Sequence, residues 1–405
     1  MIESYREVSP QRTVRPDSAD ELAQIVSEAN EAGESFEIVG GATKRSFGDA
    51  VRSERRIEMS ALSGIELYEP DELVIKAAAG TALATIDAAL AEHGQFLPFD
   101  PPDYAALYGA PDGASTLGGV IGSNLSGPRR ILSGSARDAV LGIEAINGRG
   151  ERFKAGGRTI KNVTGFDISR LMAGSFGTLA ILTSVTLKVL PVPQSELTLR
   201  VANLPDHDAI VCLSALLGLP FEISAAAHLG GAHAGARTTA VRIDGFTGSV
   251  AGRAEAIGKR LQTYGAVEKL EGEESRKFWR SVRDLTDFSA DTQTCIWRLA
   301  LPCDKAAAIV DMLESPALYD WGGSRVFVRT SADEALAHGQ TLRSRIAASG
   351  GTASLLRAPL EVRQTLGTFQ PRSATLNRLN GNVRAAFDPN AVLNPGKLAS
   401  LDAGH

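Results

Sequence analysis

Cysteine is scarce in this sequence: Cys212, Cys295 and Cys303 are the only three in 405 residues, and none belongs to a CxxC pair. That excludes a disulfide framework and leaves no ligand set for an iron–sulfur cluster. Long apolar runs are missing as well, since none reaches the roughly 18 residues of a membrane span. No basic-then-apolar stretch opens the chain as a secretion signal would. Charge of one sign is also lacking: 42 basic and 47 acidic side chains give a net −5, without the basic excess of a nucleic-acid binder. The expectation is a soluble intracellular protein of two or three domains.

What the chain does have is glycine, 41 residues of it, with the notable clusters before residue 190. Glycine lets main chain approach a ligand closely, so the bias points to a ligand cradled by backbone. The first half opens as strand–helix–strand. Ser18 with Glu21 reads as a capping box, with Leu22, Ile25, Val26 and Ala29 on one helical face and Gly33 as the stop. An apolar strand at 36–39 runs into a glycine turn. A second strand, 73–77, leads to a helix at 83–93 with Leu83, Ile86 and Leu90 as its buried stripe. From 96 to 137 periodicity nearly vanishes, and an irregular stretch of that length inside a compact domain points to function. Strands resume at 139–146 and 178–189, and Pro191 and Pro193 mark a boundary. Beyond them, strand-helix-strand-strand-helix occurs roughly twice, which predicts one antiparallel sheet covered by helices.

Three glycine clusters carry the chemistry. Gly40-Gly41-Ala42-Thr43-Lys44 follows a strand, and successive free N–H groups in such a loop can hold a pyrophosphate. It is neither a P-loop nor the GxGxxG fingerprint, and alone it also reads as a plain turn. Thr116-Leu117-Gly118-Gly119 and Gly122-Ser123-Asn124, with Gly127 after them, admit a flat ring or phosphate against main chain. The third, Gly174 to Gly177-Thr178-Leu179, leads into the strand that holds Ile181.

In order along the chain stand PxSxxEL (16–22), GGxxK (40–44), AGT (79–81), LPxDPP (97–102), TLGG with Asn and Gly (116–127), GSxRD (134–138), KNVTGxD (161–167), GSFGTL (174–179) and NPGK (394–397). This order resembles the FAD-binding family of vanillyl-alcohol oxidase and p-cresol methylhydroxylase. The resemblance implies an α+β protein: a two-subdomain FAD-binding domain of the p-cresol methylhydroxylase type at 1–192, an antiparallel α+β cap at 193–360, and a segment at 361–405 returning to the FAD domain. It implies noncovalent FAD, with the pyrophosphate on the loop from Gly40 to Thr43 and the 116–124 segment along the cofactor. Val39, Gly48, Pro101, Gly134, Arg137 and Asp138 join the cofactor-binding set on the same ground.

Within that family, GPRR (127–130), KNVTGFD (161–167), FWRSVRD (278–284) and IWRL (296–299) are most similar to the E-type subunits of bacterial glycolate oxidases. The resemblance implies a FAD-carrying subunit of a glycolate oxidase or dehydrogenase complex, oxidising a small 2-hydroxyacid. Its partners would be a D-type flavoprotein subunit and an iron–sulfur subunit, at the inner face of the plasma membrane. Two rivals stay open: a self-sufficient flavin oxidase or dehydrogenase for another hydroxyacid or alcohol, and a noncatalytic flavoprotein scaffold.

The chain departs from the family in two places. Covalent members commonly carry a histidine at or near the glycine loop, where this sequence has Gly41-Ala42-Thr43-Lys44. Related hydroxyacid dehydrogenases hold a metal with paired cap histidines and an acidic residue. Here the cap offers His228 and His233, and no metal is assigned. A hydroxyacid carboxylate calls for a planar cation, for which Arg129 and Arg298 are the candidates, with Arg130 a third. His93 and His207 sit in ordinary contexts, so no general base stands out. Trp279, Trp297 and Trp321 serve either to wall a flavin pocket or to pack a core.

Overall fold

The computed structural model describes residues 12–402 apart from 112, 158–165, 233–236, 290 and 292. KNVTG of the KNVTGxD motif and His233 therefore lie outside the described residues. The chain forms two compact units. The first holds the chain up to Ser126, then Gly134–Pro191, then Pro371 onwards; the second holds Gly127–Ser133 and Val192–Gln370. Residues 361–370, expected in the returning segment, thus lie in the second unit.

The first unit contains two main sheets. Strands Arg12–Val14, Arg55–Glu58 and Glu37–Val39 pair in parallel in that order. The helix Ala19–Ala32 covers them. Ser18 caps it by accepting from the Glu21 N–H, and Gly33, in the left-handed region at φ 69°, ends it. Its buried Leu22, Val26 and Ala29 share a core with Phe36, Ile57, Val392 and Leu393. The tail returns here because Leu393 bridges Phe36. The second sheet is antiparallel, ordered Ile65–Glu69, Val74–Ala78, Ala180–Lys188, Val140–Asn147 and Arg152–Gly156. The helix Leu83–Glu92 buries its Leu83, Ile86 and Leu90 stripe against it.

One expectation fails within 96–137. Residues read as irregular contain the helix Leu117–Ser123, capped by Thr116, whose hydroxyl accepts from the Gly119 N–H at 3.4 Å. Three glycines in seven positions erase the apolar period, while Leu117, Val120 and Ile121 are fully buried.

The second unit is one eight-stranded antiparallel sheet, as the alternation predicts. Its order is Val267–Glu271, Ser195–Ala202, Thr238–Gly245, Ile223–Gly231, Pro316–Asp320, Arg325–Thr330, Cys295–Ala300 and Thr352–Arg357. Helices Asp206–Leu217, Thr247–Leu261, Cys303–Asp311 and Ala332–Ala348 bury apolar faces against one side of it. Side chains alternate across a strand, so the residues between those core positions emerge on the other side.

Candidate functional site

The first unit holds a cavity with an empty volume of about 930 Å³ including its open mouth. Every glycine cluster contributes to it. The turn after strand Glu37–Val39 supplies Val39, Gly40, Gly41, Ala42, Thr43 and Lys44. Helix Leu117–Ser123 and its cap supply Thr116, Gly118, Gly119, Gly122 and Ser123, and the third cluster supplies Gly177 and Ile181.

Local packing explains why these positions are glycine. A Cβ on Gly41 would lie 1.5 Å from the Ala114 carbonyl oxygen, so only glycine lets the turn rest on the 114–116 segment. Gly122 differs. Nothing lies within 4 Å of where its Cβ would be, so the missing side chain leaves the space open to a ligand. Among the described residues the N–H groups of Gly41, Ala42 and Thr43 have no acceptor. Unpaired main-chain donors turned around a concavity suit a phosphate.

Lys44 adds the charge. Its Nζ donates to Ser115 Oγ at 2.6 Å and to Thr43 Oγ1 at 3.1 Å. Burial pushes its pKa down to about 8, against the pull of Asp103. On the neighbouring wall, burial alone would raise the Glu37 carboxyl, but hydrogen bonds from Arg45 and Arg56 hold it below its ordinary range. Donors, a cation and glycine-cleared space are what a dinucleotide needs, and the cavity fits one.

A family described as FAD binding domain matches residues 10–156. Glycolate oxidase subunit GlcE of Escherichia coli (strain K12) is 34% identical over 363 residues, covering 89% of this chain and 92% of that protein. The chain belongs to the GlcE family of FAD-binding flavoproteins. A D-lactate dehydrogenase of Archaeoglobus fulgidus is 33% identical over 49% of this chain and 43% of its own length. Among solved structures, p-cresol methylhydroxylase with substrate bound superposes with a TM-score of 0.74, covering 98% of this chain and 91% of that one at 13% identity. This likeness shows the fold: an α+β protein of the p-cresol methylhydroxylase type. FAD is the cofactor. Among the described residues no helix is long and apolar enough to cross a membrane.

In this GlcE-family chain several expected cofactor residues stand behind the cavity, not on it. Leu117 and Pro101 are buried in the fold. Asn124 closes the cavity helix in the left-handed region, and its Oδ1 accepts from the Arg137 N–H at 3.1 Å. Asp138 accepts from the Ser135 N–H and hydroxyl in a capping box, with Gly134 packed on its side chain. The GSxRD motif therefore braces the helix end. Thr178 donates its hydroxyl to the Ser175 carbonyl, and Gly48 packs against Lys397. Gly127 belongs to the second unit, where its carbonyl accepts from Trp321 Nε1 at 3.0 Å.

Residues outside the expected set also line the cavity, among them Met59, Ala79, Phe176, Asn394 and Lys397. Ala79 falls in the AGT motif, Phe176 in GSFGTL, and Asn394 and Lys397 in NPGK, whereas Met59 belongs to no motif. Asn394 accepts from the Ile38 N–H and donates to the Phe176 carbonyl, tying the tail to the glycine turn and the third cluster.

The second unit places the arginine candidates differently. Arg129 is buried, with Nη1 on Asp244 at 2.6 Å and Nη2 on Glu196 at 3.4 Å. Its fork already holds two carboxylates, which removes the reason for naming it as a substrate receptor. Arg130 lies over the Trp321 ring at 4.3 Å, with Arg325 at 3.7 Å from the same ring. Arg298 is half-buried on the sheet side opposite the core residues Trp297 and Leu299. Arg242 and Arg325 emerge on that side too, by the same alternation. His228 is fully buried, with Nδ1 at 2.9 Å from Thr239 Oγ1 and Nε2 at 3.3 Å from Asp206. Burial would raise the Asp206 carboxyl, but bonds from His228, Tyr319 and the Gly231 N–H bring it down to about 2. Among the tryptophans, Trp279 and Trp297 are core side chains, and Trp279 Nε1 donates to Thr198.

Proposed function

We propose that this chain holds FAD noncovalently as one subunit of a glycolate oxidase-type complex, in which a small 2-hydroxyacid such as glycolate is oxidised to glyoxylate. The observation that carries the reading is similarity along 92% of a protein named as a glycolate oxidase subunit. In the first unit, the N–H groups of Gly41, Ala42 and Thr43 and the Lys44 ammonium neutralise the pyrophosphate. Gly119, Gly122 and Ser123 let the rest of the cofactor lie against main chain. The absence of histidine from positions 41–44 supports a noncovalent bond. Bound FAD supplies a two-electron acceptor for the hydrogen on the alcohol carbon. Arg298 is our candidate for the substrate carboxylate, whose two oxygens match a guanidinium fork. The three scattered cysteines cannot ligate a cluster, so electrons leave through an iron–sulfur partner subunit.

A second reading, a subunit that keeps FAD for assembly while a D-type flavoprotein subunit does the chemistry, is favoured by the engagement of Arg129 with Asp244 and Glu196. One experiment separates the two. The chain is purified alone and with the D-type and iron–sulfur subunits, FAD released by acid is quantified, and anaerobic glycolate is added. Bleaching of this chain's flavin in the complex supports the first reading, and an Arg298→Met variant should abolish it. Bleaching confined to the D-type subunit supports the second. Absence of acid-releasable FAD from the purified chain contradicts both.

A further inference from the structure

The helix Ala374–Phe387 carries no buried residue along its 14 positions. Its larger apolar side chains nevertheless follow one stripe, Leu376, Leu379, Val383 and Phe387, at spacings of three and four. The C-terminal half of the stripe is occupied. Val383 and Phe387 pack on the core of the five-stranded sheet, with the Phe387 ring 5.9 Å from Phe153. The N-terminal half overhangs, leaving Leu376 49% and Leu379 58% exposed. A stripe that outruns its own core offers the remainder to another surface.

Charge indicates what that surface is. Between Glu361 and Asp388 the chain has no acidic residue, and Arg372, Arg378 and Arg384 fall on or beside the helix. Arg149 adds a guanidinium at the C-terminal end, donating to the Ala386 carbonyl at 2.9 Å. We propose that Leu376 and Leu379, flanked by Arg372 and Arg378, dock into an apolar groove with an acidic rim on a partner subunit. The inference rests on the reading of the chain as a subunit of a complex. A lipid surface fits less well, because membrane-surface helices bury a whole apolar face and half of this one is already covered. A second copy fits less well too, since it would set arginine against arginine.

The test uses the full-length FAD-loaded chain with the D-type flavoprotein and iron–sulfur subunits of the same organism. A double variant, Leu376→Asp with Leu379→Asp, should weaken assembly by about 30-fold or more, the scale of an interface hot spot. Arg378→Glu should weaken it by about tenfold. Flavin content and Tm of the isolated variants should match wild type, because these side chains are exposed. If the double variant loses FAD, Arg378→Glu alone decides. A wild-type complex untouched by the variants overturns the docking inference and leaves the proposed function standing. A FAD-loaded wild-type chain that joins neither subunit overturns both. Binding to phosphatidylglycerol vesicles, or self-association, that the double variant loses while the complex stays intact gives the helix another occupant and overturns the inference.

Discussion

Two polar regions of this molecule, the glycine turn of the first unit and the Asp206 cluster of the second, handle hydrogen bonding in opposite ways. At the turn, N–H groups of Gly41, Ala42 and Thr43 have no acceptor among the described residues around an open cavity. In the cluster, Asp206 takes bonds from Tyr319 and the Gly231 N–H, while His228 uses one ring nitrogen on Thr239 and the other on Asp206. Buried polar groups cost free energy unless paired. Paired groups therefore mark architecture, and unpaired donors facing a cavity mark a ligand. A histidine beside a carboxylate looks more like chemistry in the sequence than a run of glycine does. Here the glycine turn lines the cavity and the histidine is a brace.

That contrast can be broken most severely at Gly122. Gly122→Trp fills space that nothing else occupies, so we expect a folded chain whose FAD content drops from about one per chain to near zero. Flavin absorbance against a protein assay measures it, and full retention would mean that the cavity is not the FAD site. Asp206→Ala should do the reverse. It removes a buried partner of His228 and Tyr319, costing about 3 kcal/mol in urea unfolding, with FAD per folded chain unchanged. The Asp206 carboxyl at about 2 lies below its ordinary 3.8, so its contribution is complete above the higher value and fades as pH falls through the lower one.

Lys44 sharpens the comparison with a smaller effect. Lys44→Met should weaken FAD binding by about 10–100-fold, the scale of a charge-assisted contact. In the wild-type apoprotein its pKa of about 8 lies below the ordinary 10.5. Protonated lysine favours the pyrophosphate, so FAD affinity should decline as pH rises above that lower value, and the variant should lose this slope. The folded apoprotein binds fewer protons than the unfolded chain across the same window. This group alone therefore makes apoprotein stability rise with pH there, opposite to the affinity. The smallest effect belongs to Ser18→Ala, which removes a helix cap that does not line the cavity. About 1 kcal/mol of stability should go, with flavin content untouched.

Much of this was legible in the chain. The Ser18–Glu21 cap and the Gly33 stop define a helix by local rules, and the strand–helix alternation after Pro193 foretells one antiparallel sheet covered by helices, though not its eight strands. What stayed hidden depended on long-range contacts or on residues without side chains. Arg129 looked like a free cation because its partners, Glu196 and Asp244, stand 67 and 115 positions away. Helix Leu117–Ser123 was invisible because glycine carries no periodicity. Strands Val267–Glu271, Pro316–Asp320 and Thr352–Arg357 were missed, the second of them opening on proline and closing on aspartate. Asn394 and Lys397 reach the cavity only because the tail pairs with Phe36.

The seven-residue loan of Gly127–Ser133 to the second unit bears on heredity and engineering. A gene fragment beginning at Val192 encodes the whole eight-stranded sheet yet omits Arg129, leaving Glu196 and Asp244 without their guanidinium. The unit is thus not a transplantable cassette. Grafting it onto another flavoprotein requires carrying a short piece of its host's sequence along, and recombination between 134 and 191 would part the two pieces that Arg129 joins.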